Sequence, residues 1–406
     1  MKIYLVGGAV RDKLLQLPIT DRDWVVVGGT KEILLKSKFQ QVGKDFPVFL
    51  HPKTHEEYSL ARRERKSGVG YTGFKFIFDK NVTLKEDLIR RDLTINAIAQ
   101  DKKGNYIDPF QGKKDLKNCL LRHVSHSFVE DPLRVLRTAR LAASLMHLGF
   151  QIVPETMMLM ISMVKNKELL HLTSNRIWIE TEKALKTLNP HVYFQVLHAC
   201  HALYYIFPEI SFLFEEKNFF SLNFFKNLYN NSILFMRLSK ISILTEDIAV
   251  RFSYLCQFLC KDSVFFSIKK FYDKSAACLV KNLCNRLNIP SHIREIATLS
   301  AGFYIFLKNI YYQSSQDIVN FFLKIDAWRK PDRIDKLSLL TNFNYFYEKK
   351  NNSKKYFFLK KSFESIKNIS IKLILSQGFK GLEIKNELNR IRVQKLQSWR
   401  KKIHVI

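Results

Sequence analysis

Near residue 128 the spacing of apolar residues changes, and that change constrains the fold more than any other feature of the chain. Up to about residue 110, short β-branched or aromatic runs alternate with turns, and "KIYLV", "RDWVVVG", "FPVFL" and "EEYSLAR" each read as a strand. Between the first two, "AVRDKLLQL" reads as an amphipathic helix entered through Gly7 and Gly8. Beyond residue 128 apolar residues recur every three or four positions, in "DPLRVLRTARLAASLMHLGF", "PETMMLMISMVKN" and "NRIWIETEKALKT". The fold class is therefore α+β: a small mixed sheet with helices, followed by a mainly helical neck, body and tail. At 406 residues the chain can bury a large core and divide into several domains, expected over 1–140, 141–225, 226–330 and 331–406. The stretch 210–275 is crowded with Phe and Leu, and no internal repeat interrupts it.

The "DRD" that opens the second strand has a chemical reading. Residues two apart in an extended strand share a side, so Asp21 and Asp23 project together while Arg22 points away. Their Cβ atoms then lie roughly 6–7 Å apart. That separation suits joint hold on divalent cations, which sit about 3.5–4 Å apart in two-metal phosphoryl-transfer sites. An acid pair at a strand end is commonly only a turn or a helix cap. Here the glycine pair adds a second component. Gly7 and Gly8 are expected to turn at positive φ and to leave amide N–H groups facing an anion. Arg11, one helical turn on, can reach the same phosphate bidentately. A phosphate cradle beside an acid pair supplies what nucleotidyl transfer requires: an oriented triphosphate and neutralised charge at the reacting phosphorus.

The residues then resemble a family. "LVGGAVRD" with "DRDWVVVG" is similar to the signature of the class II tRNA nucleotidyltransferases, the CCA-adding enzymes of the polymerase β superfamily, in their bacterial multifunctional form. "RRDLTINAIA" at 90–99 resembles that family's ribose-selecting segment, and "IDPFQGKKDL" at 107–116 its flexible hinge block. "EDPLRVLRTARL" at 130–141 resembles the nucleotide-templating helix, and "LTSNRIWIETEKAL" at 172–185 the neck motif. "IDAWRKPDRIDKL" and "GFKGLEIKNELNRIR" carry the resemblance into the tail.

The resemblance implies a polymerase β-like head and template-independent addition and repair of the 3′-terminal CCA of tRNA. CTP and ATP are the implied donors, and pyrophosphate the product. It implies Gly8, Arg11, Arg91, Arg137 and Arg140 as nucleotide ligands, with Asp21 and Asp23 as the catalytic pair holding Mg2+. Asp92 and Asn96 are the implied ribose-selecting pair. Asp131 and Arg134, three apart and so expected on one helical face, are the implied base-reading pair that replaces a nucleic-acid template. The basic helical remainder is expected to follow the acceptor and TΨC arms of tRNA. Two alternatives stand beside this reading: a poly(A) polymerase, which shares the head, and a non-catalytic tRNA-binding protein.

One block departs from the family. The multifunctional form carries an HD-type phosphohydrolase domain with an adjacent His-Asp pair. Gln257 and Phe258 stand where that pair is expected, and Leu234 stands near an earlier histidine position. Phenylalanine cannot ligate a metal and glutamine replaces imidazole poorly, so loss of phosphohydrolase activity is expected. His198, His201 and His292 show no ligand spacing.

Composition adds limits. Lys and Arg outnumber Asp and Glu by 66 to 37, a formal charge of +29, which permits a polyanionic partner. Abundant Lys, Asn, Ile and Phe also mark the drift of an AT-rich genome. The six cysteines form no CxxC pair, which argues against structural zinc and for a reducing, cytoplasmic setting. No uncharged run reaches the ~18–20 residues that span a bilayer, so no membrane role is expected. No obligatory protein partner is inferred. The glycine-rich stretch "ERKSGVGYTGF" at 64–74 reads equally as a moving segment near the primer end or as a long hairpin turn.

Overall fold

A computed structural model describes residues 1–43, 48–66, 74–77, 80–211, 233–257, 259, 271–342 and 353–403. Most of the glycine-rich stretch, Phe258, Cys260 and the Leu234 side chain lie outside the described residues. The chain forms two compact units, one over Met1–Pro208 and one over the described residues from Glu209 onward. No described helix is long and apolar enough to cross a membrane.

The first unit opens with β1 (Lys2–Val6), β2 (Asp23–Val27), β3 (Gln40–Val42), β4 (Val48–Leu50), β5 (Glu57–Leu60), β6 (Arg63–Lys66), β7 (Phe74–Ile77), β8 (Ala99–Gln100) and β9 (Tyr106–Ile107). Seven of these form one sheet in the order β3-β4-β5-β2-β1-β8-β9, while β6 and β7 pair separately. β2 runs antiparallel to β1 and parallel to β5, so the sheet is mixed, as the sequence implied. The unbroken "VVV" of β2 has a physical reason. Val25 packs on one face with Val6, Leu88 and Ala97, and Val26 packs on the other with Leu34, Phe49 and Leu60. A strand covered on both faces has no reason to alternate apolar with polar residues.

Helices α1 (Gly8–Leu14), α2 (Lys31–Lys36), α3 (Leu84–Ile89) and α4 (Gly112–Lys117) surround the sheet. Thr83 and Glu86 close a reciprocal capping box at the start of α3. Then follow α5 (Leu133–Leu145), α6 (Pro154–Lys165), α7 (Ser174–Leu185) and α8 (Pro190–Ala199). α5 packs against α7 and α8, with buried Ala139 and Ala143 permitting close approach. It runs through residue 140, so the boundary expected there falls inside a helix.

The second unit is helical throughout its described residues, from Ile233–Leu244 to Leu382–Lys402. Its phenylalanines form an aromatic core. Phe303 meets Phe321 edge-on at 4.8 Å, Phe306 stacks on Phe321 at 5.2 Å, and Phe322 meets Phe363 at 5.2 Å. Such offset and edge-to-face pairs add about 0.5–1.5 kcal/mol beyond area burial.

One close approach in the head makes a testable demand. Asp108 caps α4, its two carboxylate oxygens accepting the Gly112 and Lys113 amides at 2.7 and 2.8 Å. Gly112 then lies so near the turn at Thr94–Asn96 that a Cβ atom would stand 2.2 Å from the Thr94 carbonyl oxygen. Replacement Gly112→Ala is expected to cost about 1–3 kcal/mol of stability, because the atom it meets is backbone and cannot swing aside. Urea denaturation checks this; a loss below about 0.5 kcal/mol, the range of an ordinary surface substitution, would show that the turn yields freely.

Candidate active site

At the carboxyl end of β1 the chain must reverse at once into α1. Gly7 makes the turn with φ +73°, and a Cβ there would lie 3.1 Å from Arg91 Nη1 and 3.7 Å from Asp23 Oδ2. Glycine is required twice over, for conformation and for room. Gly8, also expected at positive φ, is instead the first helical residue of α1, half-buried, and a Cβ there would face the Arg11 guanidinium at 3.5 Å.

Because β1 ends at this turn, its ladder with β2 ends at the pair Val6 and Asp23. Asp23 is thus the first residue of β2, and Asp21 precedes the strand instead of sharing it as expected. The two carboxylates still meet at one cavity. A third, Glu57, opposes Asp23 on the parallel strand β5. Asp23 stays open to the cavity, but the surrounding walls remove enough water to raise its pKa. Arg91 opposes that shift and the Asp21 charge adds to it. Glu57 is raised too, by burial and then by Asp23 and Asp21. Neither Glu57 nor its role was legible without the register of β5.

The segment after α3 supplies the floor. Arg90 and Arg91 both donate to buried Asp87, at 2.7 and 3.4 Å. Asp92 accepts from Arg137 Nε at 2.8 Å, Asn96 Nδ2 at 3.0 Å and the Leu93 amide at 2.9 Å. Burial works against its charge, yet Arg137 and the Asn96 amide hold the Asp92 carboxyl well below the usual carboxylate range. Asn96 in turn accepts from Arg11 at 2.9 Å, and Arg11 also bridges to Asp12 at 2.7 Å.

The wall comes from α5 and α7. Asp131 was expected on a helix with Arg134, but α5 begins at Leu133 and Asp131 is extended, at φ −115° and ψ 109°. Pro132 explains this, since the residue before proline is pushed out of the helical region. Asp131 caps the helix instead, accepting from the Leu133 amide at 3.0 Å and from Arg176 at 2.8 Å. Arg134 is buried, its guanidinium donating to the Ser127 and Arg90 carbonyls. Arg140 donates to buried Glu180 of α7. Arg176, Glu180 and Lys183 carried no role in the sequence reading, although their spacing of four and three marks one helical face.

The cavity measures about 770 Å3, within the size range of small-molecule sites. Every residue that the sequence assigned to nucleotide transfer lines it: Gly8, Arg11, Asp21, Asp23, Arg91, Asp92, Asn96, Asp131, Arg134, Arg137 and Arg140. Eight arginines and Lys183 face six carboxylates across it. Among the described residues no group of three or more His, Cys, Asp or Glu is arranged to hold a metal alone. A hard divalent cation that arrives with a polyphosphate needs only one or two carboxylates from the protein, and Asp21 with Asp23 meets that need.

The electrostatics give a check. Asp21→Asn removes one of the charges that raise Asp23, so the Asp23 midpoint in the metal-free protein is expected to fall toward the ordinary carboxylate range. Carboxyl-carbon NMR titration measures it, and an unchanged midpoint would separate the two side chains electrically.

Comparison with known proteins gives the chain its relatives. Residues 3–122 match the family described as Poly A polymerase head domain, and residues 149–213 the probable RNA and SrmB-binding site of polymerase A. The CCA-adding enzyme of Buchnera aphidicola subsp. Schizaphis graminum (strain Sg) is 69% identical over 405 residues, covering 99% of this chain and 98% of that protein. A solved CCA-adding enzyme in complex with CTP shares the fold with a TM-score of 0.64 at 23% identity, over 97% of this chain and 87% of the other. The Thermotoga maritima CCA-adding enzyme complexed with tRNA-CCA also scores 0.64, at 21% identity and the same coverage. With identity this high along nearly its whole length, the chain belongs to the family of CCA-adding enzymes.

Proposed function

We propose that the chain builds and repairs the 3′-terminal CCA of tRNA from CTP and ATP in the cavity beside β1 and β2. The observation that carries the reading is convergence: residues from four separate sequence blocks line a single cavity that holds an acid pair, a glycine turn and many cations. The terminal 3′-hydroxyl of the tRNA attacks the α-phosphorus, the bond to the bridging oxygen breaks, and pyrophosphate leaves.

Asp21 and Asp23 would hold Mg2+, which when bound neutralises phosphate charge and lowers the pKa of the attacking hydroxyl. Arg91, Arg137 and Arg140 orient the triphosphate, with Arg11 and the Gly7–Gly8 turn at its side. Asp131 accepts from the exocyclic amino group of cytosine or adenine, and Arg134 donates to ring acceptors. Both are pre-positioned, Asp131 by Arg176 and Arg134 by two carbonyls, so little reorganisation accompanies base reading. Asp92 and Asn96 form the ribose-facing edge, where a deoxyribose would leave polar groups unpaired. The basic helix Leu382–Lys402 follows tRNA phosphates of the acceptor and TΨC arms. The five described cysteines are all unpaired, in keeping with a cytoplasmic setting.

The helical second unit is read as a body without phosphohydrolase activity, because Gln257 is buried where a metal-binding His would be needed. With nickel and a 2′,3′-cyclic nucleotide the expected turnover is nil, and clear hydrolysis would overturn that part of the assignment. For the main activity, tRNA lacking CCA is incubated with CTP alone. Two additions followed by a stop are expected. A run of adenosines from ATP with no cytidine incorporation would mark a poly(A) polymerase instead, and binding without extension a non-catalytic protein.

A further inference from the structure

Every arginine that lines the cavity already has a protein partner. Arg11 bridges to Asp12, Arg90 and Arg91 to Asp87, Arg137 to Asp92, Arg140 to Glu180 and Arg176 to Asp131. Arg134 is held by carbonyls, and Arg62 is also engaged. Lys183 differs. It is exposed, it lines the cavity, and among the described residues it makes no hydrogen bond or ion pair.

Its position on α7 is informative. Arg176, on the same face, grips the base-reading Asp131. Lys183 lies seven residues further, about 10 Å along the axis at 1.5 Å per residue, a span comparable with that from base to phosphates in one nucleotide. There its charge acts on Asp23 together with Arg91 and Arg137. α7 thus runs from the base-reading end of the cavity to the metal-holding end. A triphosphate entering that end brings several negative charges, and each arginine must share its guanidinium between them and the partner it already has. Lys183 can meet them at no such cost, as a mobile point charge on a flexible stem.

We propose that Lys183 is a phosphate ligand of the incoming nucleotide, its ammonium engaging a β- or γ-phosphate oxygen and remaining with the pyrophosphate as it leaves. The inference rests on the nucleotide-transfer reading above. The phosphate belongs to the nucleotide and not to the tRNA backbone, and kinetics separate the two sources.

The test compares K183M, K183R and the control K186M, whose lysine pairs with Glu182 and does not line the cavity. With CTP, Mg2+ and tRNA lacking CCA, K183M is expected to raise the KM for CTP about tenfold, the scale of one charge-assisted hydrogen bond. Its KM for tRNA should hold, pyrophosphate should inhibit it more weakly by a similar factor, and K183R should recover most of the loss. K186M should match the wild type. A KM for CTP and a pyrophosphate inhibition that stay unchanged, or a rise confined to the KM for tRNA, would overturn the assignment. Calorimetric binding of CTP to the wild type and K183M reads the contact without any transfer. A chain that binds CTP yet fails to extend tRNA therefore counts against the function assigned above, while the Lys183 result stands on its own.

Discussion

A buried carboxylate ties the head of this enzyme to the helix that walls its cavity. Asp92 accepts from Arg137 of α5, from the Leu93 amide and from Asn96, and Asn96 passes the connection on to Arg11 of α1. Three elements far apart in sequence therefore answer to one negative charge. The carboxyl pKa lies below its unfolded value, so the network stabilises the fold above the ordinary carboxylate pKa. That contribution fades as pH falls through the lowered value. Arg137 keeps some contact with water, at 39% side-chain exposure. Removing Asp92 therefore leaves a less isolated charge than in a fully buried pair, and the cost belongs at or below the ~3 kcal/mol end of that range.

Around this anchor, charge is matched locally. Seven of the eight arginines of the cavity lie beside a carboxylate or carbonyl that orients the guanidinium, so these donors are oriented before a ligand arrives. Oriented donors in a concave, partly dry site act more strongly than the same groups in water, because little reorientation remains at the moment of reaction. Asp21 and Asp23 stand apart from this matching. Partial loss of water, and after it the nearby Asp21 charge, raises the Asp23 pKa, an unfavourable arrangement that a bound cation would relieve.

Much of this was legible in the sequence, and the parts that were not share a cause. The strand-to-helix change of period, the doubly covered "VVV" and the Gly7 turn are local signals, and each became the element it announced. Asp131 was misplaced although the signal was present, since the proline after it forbids a helical residue there. Asp21 was placed in a strand because the end of a ladder depends on the partner strand, and β1 stops at Gly7. Glu57 and Lys183 depend on longer reach still: one needs the parallel register of β5, the other the docking of α7 against α5. The phenylalanines of the second unit showed abundance but not arrangement, since edge-to-face pairs such as Phe322 with Phe363 join helices separated by other elements of the chain.

The self-matched arginines bear on what the enzyme ignores. Inorganic phosphate and short anions abound around any nucleic-acid enzyme, and an open cluster of guanidinia would trap them and stall turnover. Here a small anion meets hosts whose charge is already shared with protein partners, and it gains less from any one of them. A molecule long enough to reach Asp21 and Asp23, the arginine wall and Asp131 together gathers several such contacts at once. Charge matching of this kind thereby favours long ligands that meet several of these side chains over short ones that meet one.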